Sequence, residues 1–171
     1  MPLNIFNSTD LDIRSFKSEM DKLVDKLLKD MNSKQNVNLN IVDDAEMQKL
    51  NKTFRNKDMP TNVLAFPNIG IGADDELGDI AINIDAVTRE SNQQNITTRD
   101  RFLHLLAHGT LHLFGYDHKE NNEAEAMEEL EIKYLKDFNI RNPYIYGFLI
   151  LKSLRYFISS SSMASASLFS L

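Results

Sequence analysis

Residues 108 to 118 read His-Gly-Thr-Leu-His-Leu-Phe-Gly-Tyr-Asp-His, and they restrict the possible folds more than any other segment. His108 and His112 are four positions apart, so a helix places both imidazoles on one face, about 6 Å apart along its axis. Gly115 can end this helix in the left-handed conformation that glycine adopts at little cost. The chain can then turn and bring His118 back to the same point. Three converging neutral imidazoles predict one Zn²⁺ ion with an open fourth position, which is typical of catalytic zinc.

The residues around the first two histidines predict that their helix is buried. Eight of them between positions 102 and 114 are apolar: Phe102, Leu103, Leu105, Leu106, Ala107, Leu111, Leu113 and Phe114. A buried imidazole needs a partner or a metal for each ring nitrogen. His104 shares the histidine face, and we expect it to support a ligand or to pack in the core. Glycine costs roughly 1 kcal/mol against alanine inside a helix, so we expect Gly109 to leave room for metal, water or substrate.

The spacing H-x-x-x-H-x-x-G-x-x-H is also that of the metzincin proteases. Those enzymes carry a glutamate general base directly after the first histidine, where this chain has Gly109. A metallopeptidase-like hydrolase therefore remains an alternative interpretation, but Gly109 argues against it because the glutamate base is missing.

Composition predicts one soluble globular domain, because the chain has 171 residues, of which 42% are hydrophobic. The absence of cysteine excludes disulfides and thiolate zinc sites and favours a reducing compartment, the cytoplasm. No basic stretch followed by an apolar run opens the chain, so no secretory signal is expected. A net charge of −6 argues against non-specific coating of nucleic acid. This net charge does not exclude a local basic groove, since Lys49, Lys52, Arg55 and Lys57 form a run without acidic residues.

Hydrophobic periodicity predicts an α+β fold, a mixed α/β layer of about four strands and five helices around a central buried metal-binding helix. The predicted strands are residues 3–6, 37–41, 63–66 and 79–84. The first predicted helix runs from a cap at Thr9 or Asp10 to about residue 31, and the second from a cap at Asp43 to 54, followed by a loop over residues 55–61. The third runs from a cap at Asp85 to about 94, and the fourth from a cap at Thr97 or Thr98 through the histidines. The fifth has residues 126, 127, 130, 134 and 135 on one side and ends near 138.

The end of the chain differs from the rest in composition. Residues 144–171 contain no acid and eight serines, and their apolar stretch is too short to span a bilayer before Lys152. An appended helix, an interfacial segment and a flexible extension are the alternatives, and the composition favours an extension that carries no chemistry. We therefore predict a domain over residues 1–143 and an apolar, then serine-rich extension over 144–171.

Five segments are similar, in the same order along the chain, to one known family. They are residues 51–61 (Asn-Lys-Thr-Phe-Arg-Asn-Lys-Asp-Met-Pro-Thr), 62–67, 77–82, the histidine segment 108–118, and 125–131. Together they resemble the arginine loop, two strands, metal signature and following helix of the YbeY family of bacterial endoribonucleases. The likeness covers about residues 3 to 143. The chain departs from the family at Asn62, where aspartate is usual, and at Ala65, where serine is frequent.

The resemblance implies a single-strand-specific, metal-dependent endoribonuclease with one Zn²⁺ per chain at His108, His112 and His118. It implies a role in ribosomal RNA maturation, including the 3′ end of small-subunit rRNA, and in ribosome quality control. The expected partners are single-stranded rRNA and the ribosome or its proteins, with no DNA and no membrane span. A non-catalytic ribosome-associated protein with a closed, structural metal site is a further alternative.

The residues allow a mechanism to be predicted independently of the resemblance. Zinc lowers the pKa of bound water to around 7, and the resulting hydroxide can attack a phosphodiester or deprotonate the 2′-OH of RNA. Arg55 is the best candidate to hold a phosphate bidentately and offset its charge. Asp79 and Asp117 are candidates to orient a ligand histidine, and each is equally compatible with a turn or capping role.

Overall fold

The computed structural model describes residues 2–68, 75–117 and 121–145. These residues form nine elements: β1 (Leu3–Asn7), α1 (Lys17–Asp30), β2 (Asn36–Val42), α2 (Asp44–Arg55), β3 (Val63–Pro67), β4 (Glu76–Asn83), α3 (Ile84–Gln94), α4 (Thr98–Leu113) and α5 (Asn121–Lys136). The predicted α+β class, with four strands and five helices, is confirmed. His118 and residues 146–171 of the predicted extension lie outside the described residues. Within the described part, no helix is long and apolar enough to cross a bilayer.

The four strands form one mixed sheet in the order β1-β2-β4-β3. β1, β2 and β4 are parallel, and β3 pairs antiparallel with β4 at one edge. Apolar residues of the strands, Leu39 and Ile80 among them, pack in the main core together with α1, α4 and α5. On the opposite face α2 packs Met47 against Leu64 and Ala81. The two faces of the edge strand β3 are therefore covered by different helices.

The histidine helix α4 is the centre of the domain, as predicted. It packs against α1, α3, α5, β3 and β4, and most of its side chains from Phe102 to Leu113 are buried. Thr97 begins the helix by accepting a hydrogen bond from the Asp100 amide at 3.0 Å. A helix surrounded on so many sides holds its residues in fixed positions, which is a requirement for any site built upon it.

Gly109 has a different role from the one expected from the sequence. A Cβ at this position would lie 2.9 Å from Cγ2 of Ile80 in β4. Glycine therefore allows α4 to approach the sheet closely, and Ile80 fills the space beside it. The prediction that the missing side chain leaves room for metal, water or substrate is wrong, because the packing of α4 on the sheet could not be seen in the sequence.

Gly109→Ala is consequently expected to lower the free energy of unfolding by about 1–3 kcal/mol, since an extra methyl group overpacks the contact with Ile80. Helix propensity alone predicts the opposite sign, a gain of about 1 kcal/mol. Denaturant unfolding of the two proteins measures the difference. A stabilised variant would contradict the packing explanation.

Several predicted helix and strand ends differ from the structure. α1 begins at Lys17, because the Asn7 side chain binds Thr9 and the Leu11 carbonyl and holds that segment in a turn. The cap of α3 is Asn83, whose side chain accepts from the amides of residues 85 and 86. The Asp85 carboxylate instead accepts from the amide of Asp44, at the start of α2. Caps at Thr9, Asp10 and Asp85 were therefore wrong.

Candidate metal centre

α4 brings His108 and His112 together on one face. Their Nε2 atoms are 3.0 Å apart, and the ring planes are nearly perpendicular at 84°. The helical spacing of four residues therefore produces the pairing that the sequence predicted. Both imidazoles are partly buried, with His108 at 21% side-chain exposure. The third predicted ligand, His118, lies outside the described residues.

The turn after α4 fixes the orientation of His112. Gly115 has a φ of 85°, its amide bonds to the His112 carbonyl, and the Tyr116 amide bonds to the Leu111 carbonyl. This is the Schellman arrangement, in which the left-handed residue reverses the chain, and the predicted helix end at Gly115 is confirmed. The Tyr116 carbonyl consequently returns to 2.8 Å from Nδ1 of His112. Because a carbonyl only accepts, Nδ1 of His112 is the protonated ring nitrogen.

Glu131 of α5 fixes the orientation of His108. One carboxylate oxygen accepts from His108 Nδ1 at 2.8 Å, and the other accepts from His104 Nε2 at 2.7 Å and from the Tyr144 hydroxyl. The side chain is buried. Burial alone would raise the pKa of Glu131, but the hydrogen bonds from His104 and His108 outweigh it and lower the pKa to about 2. Glu131 is therefore an ionised acceptor for three donors.

His104 is a link between Glu131 and the surface, not a member of the imidazole pair. Its Nδ1 accepts from the Arg101 guanidinium at 2.9 Å, so the proton that reaches Glu131 is on Nε2. Burial lowers the pKa of His104, which keeps the ring neutral. Glu90 in turn binds Arg101 at 2.7 Å and accepts from Asn62 at 3.0 Å. One chain of hydrogen bonds thus extends from Asn62 to His108.

The two imidazoles fit a metal ion. Both Nδ1 atoms donate, so in the neutral rings both lone pairs are on Nε2, and these atoms face each other at 3.0 Å. Opposed lone pairs repel, and a cation between them removes the repulsion. Tetrahedral zinc, with Zn–N near 2.0–2.1 Å, places ligand nitrogens about 3.3 Å apart. No group of three or more possible ligands occurs among residues 2–68, 75–117 and 121–145, so the described residues supply two of the three predicted ligands.

Arg55 is the last residue of α2 and not, as predicted, a loop residue. Asn56 ends the helix in the left-handed conformation with a φ of 55°, and the Lys57 amide bonds to the Asn51 carbonyl. The Arg55 side chain is exposed. Among the described residues it makes no hydrogen bond or ion pair, and it lies outside hydrogen-bonding distance of both histidines.

The ends of α2 and α4 nevertheless lie at the same end of the edge strand β3. Phe54, next to Arg55, packs its ring on Phe66 near the end of β3, with centroids 4.9 Å apart. On the other face, Leu113 lies so close to Gly78 that a Cβ there would be 2.9 Å from its Cδ2. Gly78 pairs with Pro67, the residue after Phe66. The edge strand β3 therefore lies between Arg55, on one face of the sheet, and the imidazole pair, on the other.

Sequence reasoning missed Glu131, Tyr144 and the Tyr116 carbonyl. One signal for Glu131 was available, since it is four residues from both Met127 and Leu135 and so falls on the buried face of its helix. Asp79, one of the candidates to orient a histidine, is exposed on β4 and makes no described contact with either ring. Tyr144, the first residue of the predicted extension, also packs edge-on against His104, with centroids 5.6 Å apart.

Comparisons with known proteins place this architecture in a family. The sequence model described as Endoribonuclease YbeY matches residues 4–139. Endoribonuclease YbeY of Francisella tularensis subsp. novicida (strain U112) is 48% identical over 116 residues, covering 64% of this chain and 71% of the relative. For subsp. tularensis (strain FSC 198) the identity is also 48%, covering 68% of the relative. The solution structure of TM1509 from Thermotoga maritima superposes with a TM-score of 0.60 at 25% identity, covering 96% of this chain and 99% of that one. The chain belongs to the YbeY family of endoribonucleases.

Proposed function

We propose that this protein is a zinc-dependent endoribonuclease that cleaves single-stranded RNA. The observation that carries the proposal is the pair of imidazoles with Nε2 atoms 3.0 Å apart, each oriented by a bond from its Nδ1. The family gives the reaction class, hydrolysis of RNA phosphodiester bonds. His108 and His112, together with His118, would hold one Zn²⁺ per chain.

Zinc, when bound, supplies a Lewis acid that polarises a phosphoryl oxygen and acidifies a water molecule at neutral pH. The protein residues supply orientation. Glu131 and the Tyr116 carbonyl hold the two imidazoles with Nε2 directed at a shared point. The ionised Glu131 also increases the basicity of His108 and so strengthens it as a ligand. The attacking oxygen belongs either to water or to the 2′-OH of the RNA.

Arg55 is proposed to bind a backbone phosphate of the RNA. Its exposed guanidinium has no ion-pair partner among the described residues, so its planar donors can grip two oxygens of a phosphodiester. A phosphodiester needs a cation of this kind, whereas a peptide substrate does not. To contact both Arg55 and the imidazoles, an RNA strand would pass over the end of β3.

Arg55→Lys is expected to reduce kcat/KM for single-stranded RNA about 10–100-fold, because the charge remains but the bidentate fork is lost. The melting temperature should change little, since the side chain is exposed. Arg14→Lys is the matched control: Arg14 is also exposed and binds only its neighbour Asp12. Equal losses of stability and activity would identify Arg55 as a structural residue instead.

The cellular part of the proposal is maturation of ribosomal RNA, including the 3′ end of small-subunit rRNA, and ribosome quality control in the cytoplasm. Its partners would be the ribosome or ribosomal proteins. Family membership supports this assignment. Cells depleted of the protein should accumulate small-subunit rRNA with unprocessed 3′ ends, and normal ends in such cells would contradict it.

The reaction itself is tested by incubating zinc-loaded protein with a single-stranded RNA, the same RNA in a duplex, and casein. We expect cleavage of the single strand only. Gly109 packs on Ile80 and leaves no place for a glutamate base beside the ligands, so casein should stay intact. Cleavage of casein but not of RNA would replace the proposal with a peptidase.

A further inference from the structure

Phe54 is a large aromatic side chain that remains 63% exposed near the end of α2. The Phe54 ring is held in place because it packs on the half-buried Phe66 of β3, with ring centroids 4.9 Å apart and ring planes inclined at 57°. The hydrophobic effect favours covering this exposed ring, and an exposed aromatic face can stack on a nucleobase. The support leaves one side of the Phe54 ring available to a ligand.

The charges beside Phe54 indicate the chemistry of that ligand. Residues 49 to 57 contain Lys49, Lys52, Arg55 and Lys57 and no acid. Lys52 is paired with Asp58, whereas the Arg55 guanidinium has no ion-pair partner among the residues that the structure describes. An aromatic ring next to such a cation is the combination that binds single-stranded nucleic acid, with stacking for the base and charge for the phosphate.

The position of Phe54 fits an RNA strand that runs towards the metal centre. Phe66, which supports it, is next to Pro67, and Pro67 pairs with Gly78 under the end of α4. Phe54 and the imidazole pair are therefore at the same end of β3, on the two sides of the sheet edge. A nucleotide bound at Phe54 would lie at the same end of β3 as the imidazole pair, on the other face of the sheet.

We propose that Phe54, supported by Phe66, is a stacking platform for an unpaired base of the RNA substrate, with Arg55 holding the adjacent phosphate. This inference rests on the proposed function and deepens it by naming a residue that selects single strands. A base within a duplex is already stacked on both faces and cannot cover the ring. The platform accepts any base, because every base offers a π-face.

The test measures binding and cleavage of a short oligoribonucleotide, single-stranded and as a duplex, by zinc-loaded wild type, Phe54→Ala and Phe54→Trp. Phe54→Ala should weaken single-strand binding about 10-fold and raise KM equally with little change in kcat. Phe54→Trp should restore both values, and duplex binding should not change. Phe6→Ala is the matched control, since Phe6 is 59% exposed on the opposite edge strand β1.

The outcomes separate this inference from the proposed function. Wild type that cleaves RNA, with Phe54→Ala equal to it in both binding and KM, would overturn the platform and leave the nuclease standing. Phe54-dependent binding without cleavage would support the platform and overturn the nuclease. Equal losses in Phe54→Ala and Phe6→Ala, or no recovery in Phe54→Trp, would also overturn the platform.

Discussion

Replacing His112 by alanine is expected to abolish both zinc binding and cleavage of single-stranded RNA at neutral pH. His112 supplies one of the two Nε2 lone pairs that face each other at 3.0 Å. Three protein ligands are the usual set in a catalytic zinc site, so the loss of one should prevent zinc binding. The turn at Gly115 and the Tyr116 carbonyl would remain, but they would orient nothing. Metal per chain by elemental analysis and the rate of RNA cleavage measure the effect, with cleavage falling to the level of a protein-free control.

His104→Gln distinguishes ligand loss from general damage to the histidine helix. His104 is buried one turn earlier on the same helix, but its two ring nitrogens are bonded to Arg101 and Glu131. This variant should keep one zinc per chain with reduced affinity. If His112→Ala retained zinc and turnover while His104→Gln lost them, the metal centre would have to lie elsewhere on the helix.

Glu131→Gln is expected to weaken zinc binding about 10–100-fold, the usual effect of removing a carboxylate that orients a ligand histidine. Glu131 accepts from His104, His108 and the Tyr144 hydroxyl. Glutamine keeps the shape but has one accepting oxygen, so its NH₂ group faces a donor in a buried site. The His108 ring then loses its fixed tautomer. Competition with a chromophoric chelator measures the zinc affinity directly.

The control for this variant is Glu129→Gln, an exposed position on the same helix. It removes the same charge without touching the histidines, and its zinc affinity should equal that of wild type. A Glu131→Gln protein with a lower melting temperature but unchanged zinc affinity would show that Glu131 serves the fold and not the metal.

The sequence was sufficient where a structural feature depends on neighbouring residues. Hydrophobic patterns and candidate caps predict each helix and strand, and the spacing of His108 and His112 predicts their pairing. The predictions of Asp43 as a cap, of Thr97 as one of two cap candidates and of Gly115 as a helix end are confirmed, because each residue acts on others within a few positions. These features follow from local geometry and hydrogen bonding.

The features that depend on distant residues could not be predicted in the same way. Glu131 is 23 residues from the ring that it orients, and only the packing of α5 on α4 brings them together. Gly109 was misinterpreted because its neighbour, Ile80, belongs to a strand. The cap of α3 was misplaced because Asp85 bonds to the amide of Asp44. In each case the sequence is compatible with more than one role for the residue, and a contact with a distant residue determines which role it has.

The central claim is that one metal ion held by the histidines is required for cleavage of RNA. It is tested most directly by purifying the protein without chelator, measuring metal per chain and RNA cleavage, and then repeating both after chelation and after zinc is added back. The account predicts one metal ion per chain, loss of cleavage on chelation, and recovery with zinc. Full cleavage by metal-depleted protein would contradict it.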